Sequence, residues 1–156
     1  MNLARYILPA CLAALPCGAQ VEKVAMKTTG ISCGVCAAVS EIHFQRLQGV
    51  DSVKISRSNE AILLTYRPGA KFDTQAIRRI LEPLKVGVVQ FQVGVRGQVL
   101  ENGGKRMLTA GPDKFVLLDA IDSPEVPRGV PVRIEGILYD HETPMAIKVL
   151  AVQAIH

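Results

Sequence analysis

Between residues 21 and 95 the period of the hydrophobic pattern changes repeatedly, and this feature restricts the fold of the chain most strongly. Apolar residues at alternate positions are typical of a half-buried strand, and apolar residues three and four positions apart are typical of a helix. The order is strand, helix, strand, strand, helix, strand, and this βαββαβ order specifies two helices on one face of an antiparallel sheet. The predicted segments are 21–28, 35–47, 50–55, 61–66, 72–84 and 86–95.

From residue 96 onward the sequence has no helical period. Short β-type runs separated by turn residues predict strands at 97–100, 105–110, 114–118, 131–138 and 146–154. Because five such strands need closure to hide their edges, we favour a small OB-like barrel over an extended hairpin assembly docked on the first unit. The expected fold class is therefore α+β, with a ferredoxin-like βαββαβ sandwich at 20–95 and a five-stranded OB-like β-barrel at 96–156.

The first residues are typical of an export signal. A start that contains Arg5 precedes an apolar stretch at 6–15, and small residues lead up to Ala19, so we expect a signal peptide over 1–19. A lipoprotein signal is the alternative, because residues 8–11 loosely resemble a lipobox. The mature chain is expected to be periplasmic or secreted. We expect no stable membrane insertion after cleavage, since no apolar run reaches the roughly 18 residues of a membrane span.

Composition argues against nucleic-acid binding and gives no indication of catalysis. The net charge is only +4, and the chain has no Trp, three Tyr and four Phe, which is too few rings for a binder that stacks bases. The C-terminal segment contains no Cys and no Ser, His and Asp set with a recognisable spacing. We expect no enzymatic activity, and we interpret this segment as a scaffold or protein-docking unit.

The chemistry of the chain is concentrated at Cys33 and Cys36, the thiols that remain if Cys11 and Cys17 leave with the signal peptide. Their spacing places them at the end of a loop and in the first turn of a predicted helix. A helix N-terminus stabilises thiolate over thiol, and thiolate binds soft ions such as Cu(I) and Zn(II). Two ligands are too few for a closed structural zinc site, so the pair suits metal capture or transfer.

The motif resembles that of the heavy-metal-associated domain family, which includes copper chaperones, the periplasmic mercury-binding protein and the N-terminal modules of metal-exporting ATPases. The resemblance covers about residues 22–94. The matching positions are Gly30, Ser32, Cys33 and Cys36 in the loop, followed by Glu41, Phe44, Leu47, Gly49 and Val50. It implies that Cys33 and Cys36 bind a soft metal ion, with Cu(I) expected and Hg(II) or Zn(II) as alternatives. It also implies a protein that donates or accepts the metal, such as a metal-transporting ATPase.

Two positions bear on this resemblance. Ile31 stands where the family has a Met that packs beneath the loop, and this volume-conserving change is expected to preserve the loop. Lys85 resembles a lysine that helps to neutralise the paired thiolates in copper chaperones, although a solvated surface lysine is an equal alternative.

Two other functions remain open for the cysteine pair. The same residues suit a thiol-disulfide redox protein, although the βαββαβ order is not that of thioredoxin-like proteins. They also suit an interaction module in which the pair forms a structural disulfide.

Other side chains that could bind a metal have simpler explanations. His43 is expected on the sheet-facing side of the first helix, partly buried, together with Ser40, Phe44 and Leu47. This register leaves Val35, Val39 and Ile42 as an apolar stripe, which either packs against the barrel, receives a partner or has no role. Met26, Met107 and Met145 are expected to serve packing, His141 to lie in a solvated turn, and His156 to be a disordered terminus.

Overall fold

The computed structural model describes residues 18–155, so most of the predicted signal peptide, with Cys11 and Cys17, and also His156 lie outside the described residues. The described elements follow the predicted βαββαβ order and continue with four more strands. Their bounds are β1 (Gln20–Thr29), α1 (Gly34–Gln45), β2 (Val50–Ser56), β3 (Ala61–Tyr66), α2 (Thr74–Leu81), a 3-10 helix (Glu82–Leu84), β4 (Gly87–Asn102), β5 (Lys105–Ala110), β6 (Asp113–Leu118), β7 (Pro131–Tyr139) and β8 (Ala146–Ala154).

The first unit places its strands in the order β2-β3-β1-β4, all antiparallel, with α1 and α2 packed together beside the sheet. The second helix is shorter than the predicted 72–84. It begins after Asp73, whose carboxylate accepts from the backbone N–H groups of Gln75 and Ala76, as expected of an N-cap. After residue 81 the chain continues as a 3-10 turn that Lys85 ends in the left-handed region, at φ 56°.

The prediction of two separate strands at 86–95 and 97–100 is wrong, because both segments belong to the single strand β4. One edge of β4 pairs with β1. Its other edge pairs with β7 from Phe91 to Gln98, and its last residues pair with β5. The division between 95 and 96 therefore falls inside a strand, and the two-domain description stays a prediction. Short apolar runs on either side of Arg96 and Gly97 look separate in sequence, although the Arg96 side chain, paired with Glu22, interrupts no backbone ladder.

The expected five-stranded barrel is confirmed, with β4, β5, β6, β8 and β7 pairing in a closed circuit; its OB-like character stays a prediction. Gly97 permits the closure where β4 passes from one set of partners to the next. A Cβ atom at this position would lie 2.3 Å from the carbonyl oxygen of Thr109 on β5, so a larger residue would push the two backbones apart.

Charged side chains join the first unit to the barrel strands. Arg78 on α2 donates two hydrogen bonds to Asp140, at 2.9 and 3.0 Å, and its guanidinium lies 5.1 Å from the centroid of the Phe91 ring. Glu22 accepts from Arg133 and forms an ion pair with Arg96. Together with one hydrophobic cluster that runs through both parts of the chain, these contacts make the barrel continuous with the first unit.

The helix α1 buries Ala37, Ser40 and Phe44 against the sheet, and Leu47 packs at the edge of the core. The prediction that His43 is partly buried is wrong, because its side chain is exposed. Ala37, Ser40 and Phe44 follow the helical spacings of three and four, and His43 is turned about 100° from Phe44 around the axis.

The apolar stripe on α1 does not pack against the barrel as one expectation had it. Val35 is 73% exposed and Ile42 is 47% exposed. Whether a partner covers the stripe stays a prediction.

Candidate metal site

The loop between β1 and α1 carries the predicted site and is anchored by one buried side chain. Gly30 begins the loop in the left-handed region, at φ 90°, which favours glycine. A Cβ atom there would also lie 3.1 Å from the carbonyl oxygen of Lys85. Ile31 is fully buried, so the expectation that it fills the core beneath the loop is confirmed. The next residues, Ser32 and Cys33, are exposed.

Cys33 is the N-cap of α1, and its sulfur accepts a hydrogen bond of 3.3 Å from the backbone N–H of Cys36. The helix therefore directs its N-terminal N–H groups toward this sulfur. The thiol of Cys36 also points toward it, with 2.7 Å between the two Sγ atoms, and neither residue forms a disulfide. The predicted pair thus lies together at one helix end, with Cys33 exposed and Cys36 half-buried.

The two thiols differ in acidity because of this geometry. The hydrogen bond from the Cys36 thiol lowers the pKa of Cys33 most, followed by the Cys36 backbone N–H. The backbone N–H of Val35 and the positive charge of Arg57 lower it further. The pKa of Cys36 is raised by the hydrogen bond that it donates, by partial desolvation and by the charge of Cys33. Cys33 is thus the more acidic of the two thiols.

The turn between β2 and β3 holds the loop from the side, a feature that the sequence analysis missed. The Nε of Arg57 donates to the carbonyl oxygen of Ser32 at 3.0 Å, and the Glu60 carboxylate accepts from the backbone N–H of Gly30 at 3.0 Å. The antiparallel pairing of β1 with β3, once predicted, would have revealed this contact. In the antiparallel β1–β3 pair, the residues before Ala61 must lie beside the residues after Lys27.

The remaining candidates lie away from the sulfurs or serve packing. Met26 is buried in the core, and Met107 and Met145 are half-buried in or next to barrel strands. His141 is exposed in the turn after β7, as expected. The Lys85 backbone lies against Gly30, and a role for its side chain stays a prediction.

Within residues 18–155, no group of three or more His, Cys, Asp or Glu side chains is placed to hold a metal ion. No helix in the same range is long and apolar enough to cross a membrane. The chemistry that the described residues offer is therefore a pair of sulfur donors on an exposed loop. Such a pair suits a soft ion with a low coordination number and leaves one side open to a further ligand.

No protein-family model matches this chain. Among curated proteins, it is similar to a probable copper-exporting P-type ATPase of Archaeoglobus fulgidus, with 28% identity over 74 residues. The match covers 47% of this chain and 9% of the ATPase, so the chain spans less than a tenth of the length of that relative. The resemblance to heavy-metal-associated domains is thereby confirmed.

Three solved structures are also similar to part of the chain. A CopZ metallochaperone is 22% identical, with 43% of this chain and 98% of that chain covered and a TM-score of 0.39. The yeast copper transporter domain Ccc2a is 20% identical, with 44% and 94% covered and a TM-score of 0.38. The water-soluble region of the P-type ATPase CopA from Bacillus subtilis is 25% identical, with 53% and 54% covered and a TM-score of 0.40.

Proposed function

We propose that this protein binds a soft metal ion through Cys33 and Cys36 and passes it to, or receives it from, a partner protein. The observation that carries the proposal is the position of both sulfurs at the N-terminus of α1, 2.7 Å apart. The donors fit a thiophilic ion, because the helix end and the hydrogen bond from Cys36 favour the thiolate that such an ion needs. The exposure of Cys33 supports exchange, since an incoming ligand can approach from solvent.

Cu(I) is the proposed ion, with Hg(II) and Zn(II) as alternatives. Two sulfur donors match the preference of Cu(I) for soft ligands, whereas structural Zn(II) sites take four ligands. The similarity to a copper-exporting ATPase supports the same choice. A metal-transporting ATPase is the corresponding proposal for the partner.

Location and activity are also part of the proposal. We place the mature protein outside the cytoplasm, on the basis of the signal-like residues 1–19, and we assign it no enzymatic activity. An oxidising compartment would convert a close dithiol into a disulfide, so metal transfer there requires prior metal loading or a reductant.

An anaerobic titration of the reduced protein with Cu(I), in competition with a chromophoric chelator, tests the proposal. We expect one Cu(I) per chain, and loss of this binding when Cys33 and Cys36 are both changed to Ser. A Ser58→Ala variant, altered in the neighbouring turn, is the matched control and should bind as the unaltered protein does. Stoichiometric binding by the double Cys variant would refute the assignment of the ligands.

The second candidate function is thiol-disulfide exchange, which the short distance between the two sulfurs favours. Closing the pair to a disulfide removes two electrons and two protons, which a disulfide substrate would take up as it becomes a dithiol. Rapid exchange with a model disulfide, together with no competitive metal affinity, would establish this function in place of metal transfer. A structural disulfide would instead resist reduction and change the stability of the fold.

A further inference from the structure

The guanidinium of Arg57 is held directly beside the first turn of α1. Its carbon atom lies 3.5 Å from the position that a Cβ atom would take at Gly34, between the two cysteines in sequence. A Cβ atom at Gly34 would make ordinary van der Waals contact with the guanidinium. A positive charge thus lies against the residue that separates Cys33 from Val35 and Cys36.

The contacts of Arg57 leave most of its hydrogen-bonding capacity unused. Of the five N–H donors of a guanidinium, the Nε donor is bonded to the carbonyl oxygen of Ser32. No carboxylate of the described part of the chain lies within ion-pair distance of this group. Its charge is therefore not neutralised by an ion-pair partner among the described residues.

The charge of the bound site depends on the ion. Two thiolates and one Cu(I) sum to a charge of minus one, whereas two thiolates and one divalent ion sum to zero. Because the free site is the same reference for both ions, a fixed positive charge favours the first complex over the second by Coulomb attraction. We propose that Arg57 is a specificity-determining residue, which favours a monovalent soft ion over a divalent one at Cys33 and Cys36. This inference rests on the metal-binding function proposed above.

Two other charged residues contact the same loop and allow the sign of the effect to be tested. Glu60 bonds to the N–H of Gly30 and brings a negative charge, which opposes that of Arg57. Lys85 contacts Gly30 through its backbone carbonyl. The sequence resemblance offered Lys85 for the neutralising role, with a solvated surface lysine as an equal alternative, so the two cations make competing predictions.

The test compares the affinities of the unaltered protein and its variants for Cu(I) and for Zn(II), each in competition with a chelator. Arg57→Gln should lower the ratio of Cu(I) affinity to Zn(II) affinity by about three- to tenfold, as expected when one unit charge near a well-solvated site is removed. Arg57→Lys keeps the charge and should restore most of the Cu(I) preference. Glu60→Gln keeps an oxygen acceptor for Gly30 and should shift the preference further toward Cu(I).

Two results would overturn the proposal. Equal losses of Cu(I) and Zn(II) affinity in Arg57→Gln would mean that the residue only shapes the loop, since a structural role does not distinguish the ions. A larger loss of Cu(I) preference in Lys85→Gln than in Arg57→Gln would assign the charge to Lys85 instead. Far-ultraviolet circular dichroism and the unfolding midpoint of each variant establish that it is folded.

A metal-free measurement separates failure of this inference from failure of the proposed function. In glutathione buffer, two glutathione thiols reduce the Cys33–Cys36 disulfide to the dithiol and become one glutathione disulfide. A cation beside the sulfurs stabilises the reduced, partly ionised pair, so Arg57→Gln should favour the disulfide about threefold, or about 14 mV. If the unaltered protein binds neither ion, the proposed function is wrong. If this equilibrium does not move in Arg57→Gln, the charge role of Arg57 is wrong.

Discussion

Arg57 donates from its Nε to the backbone carbonyl oxygen of Ser32 across 3.0 Å, and this bond ties the β2–β3 turn to the residue before Cys33. On the far side of the same loop, the backbone of Lys85 lies against Gly30. The loop is therefore supported from both sides, while Ile31 anchors it from below. This arrangement holds the two sulfurs in place and leaves them accessible from solvent.

Replacing the anchor should loosen the site and destabilise the fold. Ile31→Ala removes a fully buried side chain and is expected to lower the free energy of unfolding by about 2–4 kcal/mol, because a cavity remains beneath the loop. Ile31→Met nearly conserves volume and should cost less than about 1.5 kcal/mol. Urea unfolding of the two variants measures both values. Equal stabilities would show that the loop does not depend on this contact.

Breaking the ion pair between α2 and the barrel should destabilise the protein at neutral pH. Arg78→Gln leaves the Asp140 carboxylate, whose side chain is 4% exposed, without its main partner, and we expect a loss of about 1–3 kcal/mol. Arg79→Gln is the matched control, because the neighbouring Arg79 is 71% exposed and its contact with Asp73 is long, at 3.7 Å. That variant should lose less than about 0.5 kcal/mol in chemical unfolding.

The pH dependence of this pair has a definite sign. Burial alone would raise the pKa of Asp140, but the hydrogen bonds and charge of Arg78, with the charge of His141, hold it below its usual range. A carboxylate with a lowered folded pKa contributes stability above its unfolded pKa of about 3.9, and this is lost as the pH falls through the folded value. The stability difference between Arg78→Gln and the unaltered protein should therefore shrink in acid. A constant difference down to acidic pH would contradict the ion-pair explanation.

The two cysteines should react with iodoacetamide in a fixed order. The hydrogen bond from the Cys36 thiol is the largest cause of the lowered pKa of Cys33, so Cys33 should be alkylated first near neutral pH. In Cys36→Ala the pH midpoint for alkylation of Cys33 should rise. In Cys33→Ala the midpoint for Cys36 should fall, because its own pKa is raised chiefly by Cys33. Mass spectrometry of the alkylated protein follows both reactions, and midpoints that do not move would refute the coupling.

The two parts of the chain should tumble as one body. The strand β4 runs through both, and β7 pairs along the edge of β4 that β1 leaves open. Backbone NMR relaxation should give one rotational correlation time for residues 22–94 and 97–155. Two independent correlation times would show that the ladder between β4 and β7 opens in solution.

Local pattern was sufficient to predict β3, β5 and β8 and the loop with its two cysteines, because each depends on residues close in sequence. The burial of Ile31 was predictable from the family resemblance, because the corresponding Met of that family packs beneath the loop. The exposure of His43 was not predicted, although Ser40, Phe44 and Leu47 were correctly assigned to the inner face, because that face is too narrow to include the residue next to Phe44.

The features that sequence analysis missed depend on contacts between distant segments. Nothing within 86–102 indicates that β4 exchanges β1 for β5 around Gly97 while it stays paired with β7, since this pairing depends on distant strands. Arg57 reads as an ordinary turn residue until strand pairing places it beside Ser32. The partners of β4 and the position of Arg57 therefore depend on pairing between distant strands, which local periodicity does not predict.

X-ray absorption spectroscopy at the copper edge, on reduced protein loaded with one Cu(I) per chain, tests the metal-binding claim most directly. We expect a first shell made of sulfur alone, with two scatterers supplied by Cys33 and Cys36, and its loss when both residues are changed to Ser. A first shell of nitrogen or oxygen, or a sulfur shell that survives the double substitution, would contradict the assignment of this site.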